Sequence, residues 1–185
     1  MNKDNLRGFI FGASEDGTIY FRPKKNQYNI EIEQKVLGWL EAVKKAIQDV
    51  YGFNVNIRQT TRGPYRLTVL SKQLYTELID FREDYSKILS ENKEFQRGFL
   101  QGIFDAEGTV HNKRNQIRIS SKNKKVMEIT RRLLNRFGIN TGKLYKDLAV
   151  FVLPFYGKNN MKTFAENIGF KHPGKKKRLS VLISN

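Results

Sequence analysis

The sequence contains no cysteine, and its 185 residues include only two histidines, one tryptophan and four prolines. The lack of cysteine excludes disulfide bonds, thiolate-bound zinc and a cysteine nucleophile. No apolar run approaches the ~20 residues that a bilayer-spanning helix needs, and the N-terminal Met-Asn-Lys-Asp lacks the apolar segment of a signal peptide. We therefore expect a protein of the cytoplasm or of an organelle matrix that is not secreted and has no contact with a membrane.

Acidic residues are scarce as well, with 18 Asp and Glu against 34 Lys and Arg, which leaves a formal net charge of +16. Such an excess is typical of proteins that bind nucleic acid, although ribosomal and membrane-surface proteins share it. The basic residues are spread through the chain, and the one dense run is at 175–178. Charge alone therefore indicates a polyanionic partner and does not indicate a reaction.

One stretch of sequence occurs twice in the chain. The segment at 97–110 has the sequence RGFLQGIFDAEGTV, and the segment at 7–19 has the sequence RGFIFGASEDGTI. The two copies lie about 90 residues apart, and smaller similarities recur at nearly the same offset. We infer that the chain consists of two related halves.

Each copy places two glycines four residues apart, Gly8 with Gly12 and Gly98 with Gly102. Residues at this spacing lie on one face of a helix, where a glycine costs about 1 kcal/mol relative to alanine. Small residues on one face allow the backbone of a second helix to come close. We therefore predict that the two copies form helices that pack against each other through these glycines within one chain, which makes the protein a monomer.

Each copy ends in an acid followed by a glycine, at Asp16-Gly17 and at Glu107-Gly108. We expect both glycines to adopt the left-handed conformation that ends many helices. An acid at this position faces the negative end of the helix dipole, which is unfavourable unless a positive charge compensates. Because the packed helices would bring the two acids together, we expect Asp16 and Glu107 to bind a divalent metal.

The nonapeptide at 100–108, with its Asp-Ala-Glu-Gly ending, resembles the motif of the LAGLIDADG homing endonucleases in their monomeric, two-motif form. The first copy departs from this pattern because it is one residue shorter. Either Glu15 or Asp16 could therefore hold the position of the functional acid in that copy. We favour Asp16, because it directly precedes the glycine as Glu107 does.

The resemblance implies magnesium as the cofactor, in two or three ions, and cleavage of both DNA strands across the minor groove. It also implies a lysine near the metal, which the family often supplies from the segment after the last helix of a half. The candidates are Lys171 and Lys175, with Lys87 as the counterpart in the first half, and a phosphate contact is an equally good interpretation of each. His111 and His172 are too isolated in the sequence to indicate a zinc site.

Alternating apolar and polar residues predict strands, and apolar residues at helical spacing predict helices. In the first half we expect strands at 18–22, 28–33, 54–58 and 65–69, and helices at 36–51 and 72–82. In the second half we expect strands at 109–113, 116–120, 142–145 and 148–153, and helices at 124–137 and 160–168. Glycine at 52 should end one helix, and Ser71 should cap the start of the next.

The predicted fold is α+β, with duplicated αββαββα halves at 1–92, which includes a linker, and at 93–185. Each half forms an antiparallel sheet with its helices on one face. The two sheets are expected to form a DNA-binding saddle around the two-helix interface. Side chains on the free faces could contact base edges in the major groove. The predicted DNA contacts are Tyr20, Arg22, Asn29, Asn56, Arg58, Arg66, Thr68, His111, Gln116, Arg118, Ser120, Lys143 and Tyr145.

The expected function is a site-specific, metal-dependent endonuclease that hydrolyses phosphodiesters in both strands of DNA. Two alternatives use the same fold: a maturase that binds intron RNA, and a catalytically inactive DNA-binding regulator, which the irregular first motif would suit. A Glu-x-Lys triplet at 33–35, with Asp16 upstream, also resembles the core of restriction-type nucleases. The second half contains no copy of that triplet, and this interpretation leaves the repeat unexplained.

Overall fold

Two four-stranded antiparallel sheets and two packed motif helices form this computed structural model, which describes residues 2–184. The first half comprises α1 (Lys3–Ala13), β1 (Gly17–Arg22), β2 (Gln27–Gln34), α2 (Leu37–Tyr51), β3 (Asn56–Gln59), β4 (Tyr65–Leu70), α3 (Lys72–Glu83) and α4 (Lys87–Ser90). The second half comprises α5 (Lys93–Glu107), β5 (Gly108–His111), β6 (Gln116–Ser121), α6 (Lys124–Arg136), β7 (Tyr145–Asp147), β8 (Val150–Tyr156), α7 (Lys158–Asn167) and α8 (Pro173–Ser184). The strand orders, β1-β2-β4-β3 and β5-β6-β8-β7, are equivalent. The predicted fold class and the duplicated order of elements are confirmed.

The motif helices α1 and α5 approach each other more closely than side chains would allow. A Cβ atom added at Gly8 would overlap the carbonyl oxygen of Phe95 and lie 2.9 Å from the backbone nitrogen of Phe99. The same overlap with the opposite helix backbone occurs at the other three interface glycines, Gly12, Gly98 and Gly102. Contact between the two backbones therefore accounts for four glycines inside helices, where their intrinsic propensity is poor.

One face of each sheet packs against helices and forms the core. Ile30 and Ile32 of β2 are about as buried as Ile117 and Ile119 of β6, each with 1 % or less of its surface exposed. The registers place alternate residues of these strands on the opposite face. Each sheet thus has a face that packs against helices and carries apolar side chains. Its opposite face, called here the free face, carries the polar side chains of the alternation.

The prediction that Gly17 and Gly108 are left-handed is wrong. Gly17 has φ −101° and Gly108 has φ −77°, and both start a strand in extended conformation. The chain leaves α1 through a 3-10 turn at Ser14–Asp16, whereas α5 runs to its acid and passes directly into β5. A Cβ at Gly108 would overlap the carbonyl oxygen of Phe104. Glycine is therefore favoured at this position because a side chain would not fit beside the preceding helical turn, and not because φ is positive.

The second hairpin of the second half lies further along the chain than predicted. β8 runs through Pro154 to Tyr156, although proline lacks the N–H group of an ordinary central strand. β7 pairs only as far as Val152, and beyond it Gly142 donates its N–H to the carbonyl of Pro154 at 2.8 Å. Pro154 therefore faces no partner strand on the β7 side. Consequently Lys143 lies outside the sheet, two residues before β7.

Two helical segments lie outside the ranges given above for the predicted helices, although Tyr85, Ile88 and Leu89 favour a linker that is partly helical and packed. The linker contains α4, and Tyr85 and Ile88 in and beside it are buried. The segment after α7 continues into α8, a twelve-residue helix whose Leu179 and Leu182 are buried. Among the helices of residues 2–184, none is both long and apolar enough to cross a bilayer.

Candidate active centre and nucleic-acid interface

The two motif acids lie at the ends of the packed helices and interact electrostatically. Burial and, after it, the charge of Asp16 raise the pKa of Glu107 to about 7, against the opposing charge of Lys175. Partial burial also raises the pKa of Asp16, although the residue keeps an exposed surface, and Gln34 and Lys175 counteract this shift. Two acids from opposite halves of the chain are therefore neighbours, and each disfavours ionisation of the other.

Glu15 and Asp16 occupy different environments, although they are adjacent in sequence. The Glu15 carboxylate accepts a hydrogen bond of 2.9 Å from the Tyr85 hydroxyl and lies 3.8 Å from Nε of Arg82. Burial raises the pKa of Glu15 despite these two partners. Asp16 is exposed and accepts a hydrogen bond of 2.9 Å from the Gln34 amide. Asp16 is thus the acid that a metal or a phosphate can reach.

A lysine neutralises the end of the second motif helix. The ammonium group of Lys175 donates to the carbonyls of Phe104 at 3.1 Å, Asp105 at 2.5 Å and Ala106 at 3.3 Å. Burial lowers the pKa of Lys175 to about 8, although the charges of Asp105, Glu107 and Asp16 oppose this shift. Part of the positive charge that the helix dipole requires therefore comes from the protein itself.

An arginine has the same role in the first half. Arg82 of α3 donates to the carbonyl of Ser14 and, at 3.2 Å, to that of Gly17. Sequence reasoning missed this residue and proposed Lys87 instead. Lys87 forms an ion pair of 2.5 Å with Asp80, and both side chains are exposed. The sequence carries no local pattern that would indicate which cation reaches the helix end.

Asp105, the other acid of the second motif, binds the segment that leads into α8. Its carboxylate accepts the backbone N–H of Lys171 at 3.0 Å and of His172 at 3.1 Å. Burial raises the pKa of Asp105 to about 6, against these hydrogen bonds. The ammonium group of Lys171 lies 4.3 Å from the centre of the Phe9 ring, and burial lowers its pKa. Asp105 therefore holds in place the segment that carries Lys171 and Lys175.

The free face of the first sheet carries the predicted contact residues in neighbouring positions. Tyr20 pairs with Asn29, Asn56 with Thr68, and Arg58 with Arg66 in the strand registers. With the exception of Tyr20, these residues line a shallow cavity of about 530 Å³, together with Arg22. Sequence reasoning missed two acids of this face, although the strand alternation would have indicated them. Arg66 forms ion pairs with both, Glu31 and Glu33.

Two of the predicted contact residues have little exposed surface. Asn29 is 3 % exposed and donates to the carbonyl of Gln27 at 3.1 Å. Gln116 is 4 % exposed and donates to the Tyr156 hydroxyl at 3.0 Å. Each amide supports its neighbours on the sheet and has little surface left for a base.

The free face of the second sheet is less regular. His111 pairs with Gln116, Arg118 follows on the same face, and Ser120 lies opposite Val152. Tyr145 of β7 is 41 % exposed. The structure thus assembles these predicted residues on one surface, with the exception of Lys143, which precedes the sheet.

Comparison with known proteins gives the same picture for both halves. A LAGLIDADG-like domain matches residues 94–169, and the WhiA LAGLIDADG-like domain matches residues 4–79. The homing endonuclease I-ApeI of Aeropyrum pernix is 28 % identical over 95 % of this chain and 86 % of its own length. The homing endonuclease I-DmoI of Desulfurococcus mucosus is 30 % identical over 72 % of this chain and 69 % of its own length. The structure of I-DmoI in complex with DNA and Ca has a TM-score of 0.76 at 25 % identity, covering 98 % of this chain and all of that one.

Two halves of equal topology, joined through a glycine-lined helix pair with one acid at each helix end, define a two-motif LAGLIDADG fold. With the matches in both halves and along the length of I-DmoI, the chain belongs to the LAGLIDADG homing endonuclease family.

Proposed function

We propose that the protein is a site-specific endonuclease that hydrolyses one phosphodiester bond in each strand of double-stranded DNA. The observation that carries the proposal is the packing of α5, which ends in Glu107, against both α1 and the turn that carries Asp16, so that the two acids come from different halves. One acid per half suits a substrate with one scissile phosphate per strand. The relatives I-ApeI and I-DmoI are homing endonucleases, and solved I-DmoI structures contain DNA with Ca or Mn.

The two carboxylates fit a hard divalent cation. Burial and mutual repulsion disfavour their ionised forms, and a bound cation offsets that penalty. Residues 2–184 contain no cluster of three or more His, Asp or Glu side chains that could hold a metal unaided. Mg²⁺ suits such a site, because it binds through one or two carboxylates together with water and substrate phosphates. We therefore propose Mg²⁺ bound between Asp16, Glu107 and the DNA backbone.

The residues around the acids have distinct tasks. When bound, divalent cations lower the pKa of water and stabilise the leaving oxygen. Gln34 orients the Asp16 carboxylate through its hydrogen bond. Lys175 fixes the carbonyls that precede Glu107 and adds a positive charge next to the acids. Arg82 fixes the turn that carries Asp16.

The quaternary structure and the partner follow from the same arrangement. Both motif helices come from one chain and cover each other's glycine face, so one molecule supplies both acids. We therefore propose that the protein acts as a monomer on duplex DNA. A net charge of +16 should make that binding strongly dependent on salt.

The test is cleavage of a randomised duplex library with and without Mg²⁺, followed by sequencing of the ends. We expect one related set of sites, cut in both strands at a fixed offset, and no cleavage when the metal is chelated. Binding to duplex DNA without cleavage in Mg²⁺ or Mn²⁺ would instead identify a DNA-binding regulator. Selective binding of structured RNA, with no cleavage of DNA, would identify a maturase.

A further inference from the structure

A basic site separate from the active centre lies at the turn of the β5–β6 hairpin, at the opposite end of β5 from Glu107. It is an open cleft of about 570 Å³, called here the hairpin cleft. Six of its lining residues come from the hairpin, and one comes from the C-terminal helix α8. These residues are Val110, His111, Asn112, Lys113, Arg114, Arg118 and Arg178.

The charges of the hairpin cleft are uncompensated. Its lining includes four cations and no acid, and none of these cations forms an ion pair within residues 2–184. Like charges brought together in this way repel one another, and an anion between them relieves that repulsion. In addition, Nε2 of His111 is buried and has no hydrogen-bond partner. A phosphate in the cleft would offset the repulsion between these charges.

The corresponding hairpin of the first half also forms a groove, and its cations are Arg22, Lys24 and Lys25, but no helix contributes to its lining. Both hairpins turn through a 3-10 turn, Pro23–Lys25 or Asn112–Arg114, and then a left-handed asparagine, Asn26 with φ 46° or Asn115 with φ 45°. The groove at the first turn is lined only by residues of its own hairpin, from Phe21 to Lys25. The duplicated turns are therefore alike, and their surroundings differ.

Helix α8 causes this difference. It packs beside β5 and the turn at Asn112–Arg114. At the corresponding place of the first half, after α3, the chain forms only the four-residue helix α4. Its first turn brings Lys175 to the end of α5, and Arg178, three residues further on, lines the cleft. One helix therefore connects the active centre with the hairpin cleft.

We propose that the hairpin cleft binds a backbone phosphate of the DNA, and that the contact made by Arg178 of α8 is an additional one that the second half alone has. The inference rests on the proposed function, because the bound DNA supplies the phosphate. DNA is the ligand that fits best, since His111 and Arg118 belong both to the cleft and to the free sheet face. The DNA end under the second sheet is then held more firmly, and after cleavage it is released last.

Arg178→Gln tests the proposal, and Lys176→Gln is the matched control. Arg178 is exposed, so its replacement leaves the core intact. Lys176 lies on the other side of the same helix, next to Gln101 and Phe170. Both variants lose one charge. For the cleaved duplex, we expect Arg178→Gln to lower the slope of log K against log salt by about 0.9, the value for one phosphate contact. Lys176→Gln should keep the wild-type slope.

Product release gives a second measurement. After cleavage of a target with differently labelled ends, wild type and Lys176→Gln should retain the end bound by the second half, and Arg178→Gln should release both ends at similar rates. Equal salt slopes and equal release in all three proteins would overturn the proposal while leaving the nuclease intact. A lower salt slope in Arg178→Gln, in a protein whose wild type does not cleave DNA, would support phosphate binding in the hairpin cleft and refute the proposed nuclease function.

The NMR signal of His111 identifies the ligand. Burial, together with the charges of Arg118, Arg114 and Arg178, lowers the pKa of His111, so an anion in the cleft should raise it. We expect this rise on addition of the target duplex to the wild-type protein. A rise with inorganic phosphate at constant ionic strength, and none with the duplex, would identify a small-anion site and overturn the proposal. The sequence contains only one other histidine, His172, which simplifies assignment.

Discussion

Gln34 donates a hydrogen bond of 2.9 Å from its amide nitrogen to the carboxylate of Asp16. Gln34 is the last residue of β2, so the sheet orients an acid that itself lies in a 3-10 turn. Glu107 depends on a different partner, because Lys175 fixes the last carbonyls of its helix. The two acids thus reach equivalent positions through different contacts, and variants can separate their roles.

We expect Asp16→Asn and Glu107→Gln each to abolish double-strand cleavage and to leave specific binding intact. Each change removes a proposed metal ligand and does not touch the sheet faces. Affinity measured without metal should hold or increase, because a carboxylate beneath the phosphate backbone repels it. The measurements are cleavage of a supercoiled plasmid that carries the target, and a gel-shift titration in EDTA.

Glu15→Gln is the control for the first motif. Because Glu15 is buried against Tyr85 and Arg82, the change should lower stability more than it lowers the activity of the folded protein. An inactive but folded Glu15→Gln, together with an active Asp16→Asn, would show that the first motif is aligned incorrectly. Loss of all cleavage in Glu107→Gln, with no effect of either first-half change, would show that the first half has no active centre.

Glu107→Gln should also stabilise the metal-free protein at pH 8. The folded pKa of about 7 exceeds the ordinary value of 4.5, so the folded state binds the proton more tightly. The free energy of unfolding of the wild type therefore falls as pH rises from 4.5 to 7, and the penalty is complete above pH 7. With allowance for solvent screening at a partly buried group, we expect a gain of about 1–2 kcal/mol in the variant.

Urea unfolding of both proteins at pH 5 and pH 8 measures this gain. The difference between wild type and Glu107→Gln should be larger at pH 8. Added Mg²⁺ together with the target duplex should stabilise the wild type more than the variant, because a ligand stabilises only the state that binds it. A wild type that gains stability between pH 5 and pH 8 relative to the variant would contradict the raised pKa.

Local patterns predicted much of the fold. Alternation placed β1 and β2 within one residue of their ends, and Gly52, with φ 70°, ends α2 as expected. Ser71 caps α3 by accepting the N–H of Leu74. These features depend on the residue and its immediate neighbours, which the sequence contains.

The remaining features depend on contacts between distant segments. Arg82 and Lys175 reach the helix ends only after α3 and α8 have packed, so their sequence neighbourhoods carry no sign of it. Helix α8 begins with Pro173 and a run of cations, which do not indicate a packed helix. Its buried residues, Leu179 and Leu182, come only after that run. Gly108 shows a further limit of sequence-based prediction. A glycine required because a side chain would not fit looks the same in the sequence as a glycine required for a left-handed backbone.

We expect Lys175→Met to reduce both stability and activity. The change removes the ammonium group from three helix-end carbonyls, at a cost of about 1–2 kcal/mol. The charge of Lys175 lowers the pKa of Glu107, so its loss should raise that pKa. The acidic limb of the pH profile for cleavage should then move to higher pH. Lys176→Met is the control, and equal profiles for the two variants would refute the role of Lys175.

Gly8→Ala should disrupt the helix interface, whereas Gly38→Ala should not. Gly8 lies in the interior of α1 and Gly38 in the first turn of α2, so replacement by alanine gains about 0.5–1 kcal/mol from helix propensity at Gly8 and less at Gly38. At Gly38 no atom lies within 4 Å of the added Cβ, and the gain should appear in full. At Gly8 the Cβ would overlap the Phe95 carbonyl, which is backbone and cannot turn aside. The resulting separation of α1 and α5 should cost about 3 kcal/mol.

Because α1 and α5 carry the two acids, separation of the helices should also reduce cleavage by the protein that remains folded. Urea unfolding gives the stability of each variant, and single-turnover cleavage at a temperature where both are folded gives the activity. We expect Gly98→Ala to behave as Gly8→Ala does, since its Cβ would overlap the Asn5 carbonyl on the other helix. Gly8→Ala and Gly98→Ala proteins as stable as Gly38→Ala would show that the two backbones are not in contact. Reduced stability with full cleavage would show instead that the acids keep their places without the close helix pair.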